Sequence, residues 1–307
     1  MTAQGRIDLQ QILSNKKHEI SACRDAVSLE EMKTRAEALS RRERPRDFKK
    51  ALKRGRFSVI AEIKKGSPSH GILHEELDVK HVARDYDKSE HVSCISVLTD
   101  KEYFGCGRND MSTVRKFTEK PVLRKDFIID DYQVYEARAY GADAVLLIAS
   151  LLGREKLRRF SSLVMEMGME PFIECSEKEH FSWVPKEARV VGINNRNLHA
   201  TDLKQTAKPG LKRVKELLPF VPRGKVVISE SGCKTSVDMK EIYDLGRISA
   251  VLIGAAIIEA KGERGQRIEG LMKDIPRSPK GSILTRLLRP LPTGYSSRPA
   301  RRAATWC

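Results

Sequence analysis

Long apolar runs are missing from this 307-residue chain, and none approaches the ~18 consecutive apolar residues that a membrane helix needs. The opening segment, MTAQGRIDLQ, lacks the apolar stretch of a secretory signal, so the chain is expected to be cytoplasmic, without a membrane partner. Cysteines are few and scattered: Cys23, Cys94, Cys106, Cys175, Cys233 and Cys307 form no C-x-x-C pair and show no regular spacing with the seven histidines. That pattern argues against a disulfide scaffold and predicts free thiols with no metal site. No G-x-G-x-x-G follows the first apolar run, which removes the signature of a dinucleotide-binding sheet. Acidic residues are also short, 41 against 57 Lys and Arg, for a net charge of +16. Seven of those sixteen charges belong to residues 275–307, which contain no Asp or Glu.

What is present is a repeated pattern. Eight short, β-branched-rich runs recur: Ser58 to Ile63, Ser93 to Leu98, Pro121 to Arg124, Asp143 to Ile148, Glu170 to Glu174, Arg189 to Asn194, Lys225 to Ser229 and Ser249 to Gly254. Their hydrophobicity is continuous rather than alternating, as in parallel strands covered on both faces. The spacing leaves room for a helix after most runs, with candidates at Glu76 to Ser89, Asp131 to Tyr140, Arg154 to Met167 and Ser236 to Asp244. An open doubly wound sheet uses the same pattern with fewer strands; eight strands point to an α/β fold, a single (β/α)8 TIM barrel over residues 57–274. Residues 1–56 carry helical periodicity and are expected to form an N-terminal helical extension capping one barrel end. Residues 275–307, rich in Pro, Gly, Ser and Arg, read as a basic disordered tail, with no nucleic-acid partner expected.

In this fold, chemistry collects at the C-terminal ends of the strands. Glu62 and Lys64 stand there two apart, on one face of the first strand. Lys125 and Asp126 follow the third strand, Glu174 ends the fifth, Asn194 and Arg196 end the sixth, and Glu230 ends the seventh. Charges seldom enter a barrel mouth unless they are paired or used. Two lysines and three glutamates converging on one cleft would perturb one another's protonation, which suits proton transfer on a bound carbonyl compound. Small-residue turns, Ser231-Gly232 and Gly254-Ala255, follow the seventh and eighth strands, where barrels bind phosphate through backbone N–H groups. Ser67, in the Ser67-Pro68-Ser69 turn after the first strand, is a further candidate.

These residues lie in motifs that resemble the indole-3-glycerol-phosphate synthase family: RDFKKAL from Arg46, VIAEIKKGSPSHG from Val59, SVLTDKEYF from Ser96, PVLRKDFIID from Pro121, GADAVLLI from Gly141, GINNRNL from Gly192 and VISESG from Val227. The order is the family's, over roughly residues 10–274. The resemblance implies a carboxy-lyase of tryptophan biosynthesis. Its reaction closes the ring of 1-(2-carboxyphenylamino)-1-deoxyribulose 5-phosphate to give indole-3-glycerol phosphate, carbon dioxide and water, with no cofactor and no metal. It further implies Lys125 as general acid, Lys64 as partner of the substrate carboxylate, Glu174 as acid/base for dehydration and Glu62 as stabiliser of the cationic intermediate. Asn194, Arg196 and Glu230 would orient the substrate. Phe104, Phe127 and Leu146 would pack on its ring, and Ser67, Ser231, Gly232, Gly254 and Ala255 would take its phosphate. The partner implied is a small phosphorylated, carboxylated molecule; other tryptophan-pathway enzymes are the protein partners it allows. The chain departs from the family's usual residues at Gly66, at Gly105-Cys106-Gly107 and at Gly254-Ala255.

Overall fold

A computed structural model describes residues 8–52, 57–68, 71–72, 74–196, 211–258 and 263–276. Ser69, Leu198 and the expected tail from residue 277 onward lie outside the described residues. Eight strands form a closed barrel: β1 (Ser58–Ile63), β2 (Val92–Leu98), β3 (Val122–Lys125), β4 (Ala144–Ile148), β5 (Glu170–Cys175), β6 (Val190–Asn194), β7 (Val226–Glu230) and β8 (Ala250–Ile253). Each strand is parallel to its chain neighbours, and β8 closes on β1 with Ile60 opposite Leu252. All eight expected runs are strands, with ends shifted by at most a residue or so.

Strand side chains alternate between two cores. Outward residues such as Val59, Ala61, Val97, Val145, Ile173 and Val227 pack under the helices. Inward residues Ile60, Cys94, Leu123, Ala144, Leu146, Phe172, Val190, Val226, Ile228, Ala250 and Leu252 fill the barrel. This two-sided burial is the physical reason for the continuous apolar runs. On the same inward face, two residues nearer the C-terminal ends, or four in β6, stand Glu62, Ser96, Lys125, Glu174, Asn194 and Glu230. The strand period therefore stacks a polar layer on an apolar floor.

The crossover helices include α4 (Val79–Lys88), α5 (Lys101–Phe104), α6 (Arg108–Lys116), α7 (Asp131–Ala139), α8 (Ala149–Glu166), α9 (Lys212–Leu217), α10 (Ser236–Asp244), α11 (Ala255–Ile258) and α12 (Arg264–Met272). Helix α8 is broken at Gly153, at φ 67°, so a short turn from Ala149 precedes the main helix, which starts at the expected Arg154. Ile275 still packs into the outer core, so the barrel runs one residue beyond the expected boundary. A two-stranded ribbon, Gly66–Ser67 against Gly71–Ile72, was not expected. Gly66 makes it possible: a Cβ there would lie 2.3 Å from the Gly71 carbonyl oxygen.

The N-terminal helices correct a second expectation, that they cover one end of the barrel. Helix α1 (Leu9–Ala26) lies at the C-terminal mouth, where Lys16 reaches Asp100 and Asp126 in the segments following β2 and β3. Helix α2 (Leu29–Arg42) descends along α7, with Met32 packed in one cluster with Tyr132. Helix α3 (Phe48–Leu52) closes the opposite end: Phe48, Ala51 and Leu52 join the inner core, and the Phe48 ring lies 6.2 Å from that of Phe172. The Asp143 carboxylate fastens the turn before α3, accepting from the Arg46 amide at 2.7 Å and the Val122 amide at 2.8 Å. Phe48→Ala should therefore empty the barrel floor and cost about 3–5 kcal/mol in urea unfolding. An unchanged midpoint would show that α3 contributes no core packing.

Candidate active site

The polar layer at the mouth joins residues from five strands that are far apart in sequence. Glu62 of β1 accepts from the Lys64 ammonium at 2.9 Å, and both side chains are largely buried. Burial by itself would raise the Glu62 carboxyl, but Lys64, Lys125 and Arg196 together more than offset it and hold the group below the usual glutamate range. Glu62 is thus an anion at neutral pH. Lys125 of β3 is partly buried; desolvation favours its neutral form, yet the carboxylates of Glu62, Glu230 and Glu174 outweigh it and the opposing Arg196 and raise its pKa. It remains an ammonium. Arg196 is pushed down by burial against the pull of Glu62 and Glu174, and its Nε has no partner among the described residues.

Glu230 of β7 behaves in the opposite way to Glu62. Burial and then the adjacent Glu174 carboxylate push it well above the usual glutamate range, with Lys125 only partly compensating. Among the described residues, neither Glu230 oxygen, nor Oε1 of Glu174, has a hydrogen-bond donor. A buried polar atom without a partner is costly, so these oxygens mark a place for a ligand. Carboxyl groups whose environments drive their pKa values apart are the mark of divided acid and base roles.

Two glycines make the cluster sterically possible. A Cβ on Gly254 would stand 2.3 Å from Glu62 Oε1, and one on Gly192 would stand 2.1 Å from Glu230 Oε1 and 2.5 Å from the Phe172 ring. Beyond β7 the backbone turns sharply: Ser231 adopts φ 63° and Gly232 φ 87°, so two successive residues are left-handed. Such a conformation is unfavourable for serine and persists only where surroundings enforce it. Ser67 is buried in the first ribbon, while Ala255 opens the turn after β8. On the other side of the mouth the Phe104 and Phe127 rings lie 6.5 Å apart at 38°. Leu146 sits deeper, in the inner core. The Lys65 amide donates to the Phe104 carbonyl at 2.9 Å, tying the loop after β1 to this aromatic wall.

Three residues with a place here escaped the sequence reading. Asn195 is buried and joins the loops after β6 and β7: its Nδ2 donates to Ser229 Oγ and to the carbonyls of Glu230 and Ser231, each at 3.1 Å, and its Oδ1 accepts from the Val214 amide at 3.0 Å. Ser96, opposite Glu62 in the β1–β2 register, places a partnerless hydroxyl inside the barrel. Lys16 is wholly buried on α1, and its signal was visible, since it occupies the apolar stripe Ile12, Lys16, Ile20 at helical spacing.

The fold and this cluster define a β/α-barrel protein with ionisable side chains gathered at the C-terminal mouth of the barrel. A family model described as indole-3-glycerol phosphate synthase matches residues 9–270. The indole-3-glycerol phosphate synthase of Caldanaerobacter subterraneus is 40% identical over 76% of this chain and 86% of its own length. That of Alkaliphilus metalliredigens is 40% identical over 82% and 93%, and that of Variovorax paradoxus 36% over 86% and 98%. The chain belongs to the indole-3-glycerol phosphate synthase family. Among solved structures, 3-hexulose-6-phosphate synthase from Salmonella typhimurium superposes with a TM-score of 0.52 at 16% identity, covering 71% of this chain and 97% of its own, a likeness of fold.

The raised Glu230 has a consequence for stability. A carboxyl whose pKa is higher folded than unfolded stabilises the fold below the ordinary glutamate range, and that contribution is lost as pH rises through the folded value. Glu230→Gln should therefore be more stable than the wild type at pH 9, by about 1.4 kcal/mol for each pKa unit of displacement. The difference should close as the pH falls below about 4, where both states of the wild type are protonated. Thermal unfolding across this range checks it; a gap that does not change with pH would contradict the raised value.

Proposed function

We propose that this barrel mouth closes the indole ring of indole-3-glycerol phosphate, releasing carbon dioxide and water from 1-(2-carboxyphenylamino)-1-deoxyribulose 5-phosphate, as a carboxy-lyase of tryptophan biosynthesis. The observation that carries the reading is the mutually interacting cluster of three carboxyl groups, Glu62, Glu174 and Glu230, and three cations, Lys64, Lys125 and Arg196. Such a site holds an anionic substrate and moves protons at defined atoms without bulk water.

The substrate's phosphate is placed at the backbone of Ser231, Gly232, Gly254 and Ala255 and at Ser67, its aromatic ring against Phe104 and Phe127 above Leu146, and its carboxylate beside Lys64 and Arg196. This stretches the molecule across the mouth and brings the carboxylate-bearing ring carbon onto C2 of the sugar, converting a floppy encounter into a positioned one. Lys125, held as an ammonium, donates its proton to the ketone oxygen as the new carbon–carbon bond forms. Glu62, held as an anion, stabilises the cation that develops on the ring and nitrogen. Carbon dioxide leaves with its bonding electrons returned to the ring, which restores aromaticity. The former ketone oxygen then takes up a proton and departs as water while C1 of the sugar gives up a proton to form the C1–C2 double bond of the indole, with Glu174 as the acid/base group. Asn194 and Glu230 orient the substrate. Each positioned acid or base is worth about 10² to 10⁴ in rate.

The assay is formation of fluorescent indole product from the carboxyphenylamino-deoxyribulose phosphate. Lys125→Ala should lose about 10² or more in kcat. Gly254→Ala, which drives a methyl group into Glu62, should lose on the order of 10²-fold while leaving the barrel folded. A folded wild type that binds indole-3-glycerol phosphate without turning substrate over would overturn the assignment and leave a catalytically silent, anion-binding barrel.

A further inference from the structure

Outside the catalytic cluster, one buried cation connects three segments of the mouth. The Lys16 ammonium on α1 lies 2.7 Å from Glu19, 3.0 Å from Asp100 Oδ2 and 2.9 Å from Asp126 Oδ1, with none of its side chain exposed. Its two aspartate partners have further roles. Asp100 caps α5, its Oδ1 accepting from the Tyr103 amide at 3.0 Å, and α5 ends in Phe104. Asp126 Oδ1 also accepts from the Phe127 amide at 2.8 Å, while its Oδ2 accepts from Thr99 Oγ1 at 2.6 Å and Arg124 Nη2 at 2.9 Å. The aspartate that holds each ring of the aromatic wall is therefore gripped by the same ammonium.

Neighbouring contacts reinforce the grip. One turn earlier on α1, Ile12 is fully buried in the apolar cluster that contains Phe127, with Phe104 packed against it. Asn15 donates to the Tyr103 hydroxyl at 2.8 Å. Helix α1 thus presents an apolar contact, a hydrogen bond and a charge to the same two loops. Burial disfavours the charged lysine, but Asp126, Asp100 and Glu19 outweigh it and hold the ammonium protonated. Asp126 in turn is kept ionised by Lys16 and Arg124 despite its burial.

We propose that Lys16 is a positioning residue that sets the spacing of Phe104 and Phe127 through Asp100 and Asp126, and thereby the affinity of the site for the aromatic end of its substrate. This rests on the ring-closing reading above for the identity of the substrate, though not for the geometry of the clamp. The wall faces the ring in ground and transition states alike, so the clamp contributes uniform binding, whose loss appears in KM rather than in kcat. The phosphate end, built on the loops after β7 and β8, is independent of it.

The test compares Lys16→Met with the wild type and with Lys33→Met, a control on the exposed Lys33–Glu30 pair of α2. In Lys16→Met, KM should rise about tenfold with kcat within about threefold of the wild type, and the affinity for inorganic phosphate by calorimetry should be unchanged. Amide hydrogen exchange at Tyr103, Phe104 and Phe127 should speed up about tenfold or more, while the barrel strands keep their protection. Removing one partner of a buried ion pair can prevent folding. Asp100→Asn therefore serves as the second variant: asparagine keeps the helix cap but loses the charge, and it should show the same pattern at about threefold. A fall in kcat at constant KM, an unchanged exchange pattern, or exchange accelerated equally throughout the barrel would each overturn the proposal. An inactive wild type would overturn the assigned reaction, and exchange, which needs no turnover, would then decide the clamp alone.

Discussion

Charge buried at the mouth of a barrel must be compensated by charge brought from elsewhere in the chain, and the upper half of this molecule is organised by that requirement. Burial alone would favour the neutral form of Lys125; the charged form is favoured instead because Glu62, Glu230 and Glu174 interact with it. Glu62 remains an anion because Lys64, Lys125 and Arg196 do. Glu230 lies beside another carboxyl, Glu174, and burial together with that neighbour drives its pKa up instead. Each group's protonation is a property of the set, so the site acquires its chemical character only when all the strands are in register.

The N-terminal segment serves this arrangement at both ends of the barrel. Phe48 and its neighbours seal the floor with apolar contact, whereas Lys16 reaches the loops above the mouth with a charge. The difference follows from what each end exposes. The floor offers the inward apolar residues at the strand starts, and the mouth offers carboxylates whose burial demands a cation. Between the two, α2 lies on α7 and the Tyr132 hydroxyl donates to the Cys23 and Val27 carbonyls at 3.1 Å, which satisfies backbone groups at the end of α1.

Close approach of backbone is the other recurring device. Gly192 and Gly254 each leave the space that a buried carboxyl occupies, and Gly66 lets the first loop fold back on itself. None of these three has a left-handed φ; what they supply is the absence of a side chain. At Ser231 the opposite holds, since the side chain is kept and the backbone is forced into the left-handed region.

The amino-acid sequence by itself determined the architecture and most of the site. Eight β-branched runs could be counted because two-sided burial makes each strand apolar throughout. Glu62, Lys64, Lys125, Glu174, Asn194, Arg196 and Glu230 could be named because a period of two projects strand-end residues inward. Helix α10 was legible to the residue, since the Thr235 cap and the charged Asp244 bound it. Only the tertiary structure decided the rest. Helical periodicity showed that residues 8–52 form helices but carried no information on which face of the barrel each would meet, so the division between floor and mouth was not legible. Lys16 and Asn195 act through partners 84 and more, or about 20 to 36, positions away in the chain, contacts that no local pattern encodes. Likewise the raised Glu230 and lowered Glu62 are the same residue type at equivalent strand ends, and what separates them is the sign of the nearest neighbour, which exists only once the barrel has closed.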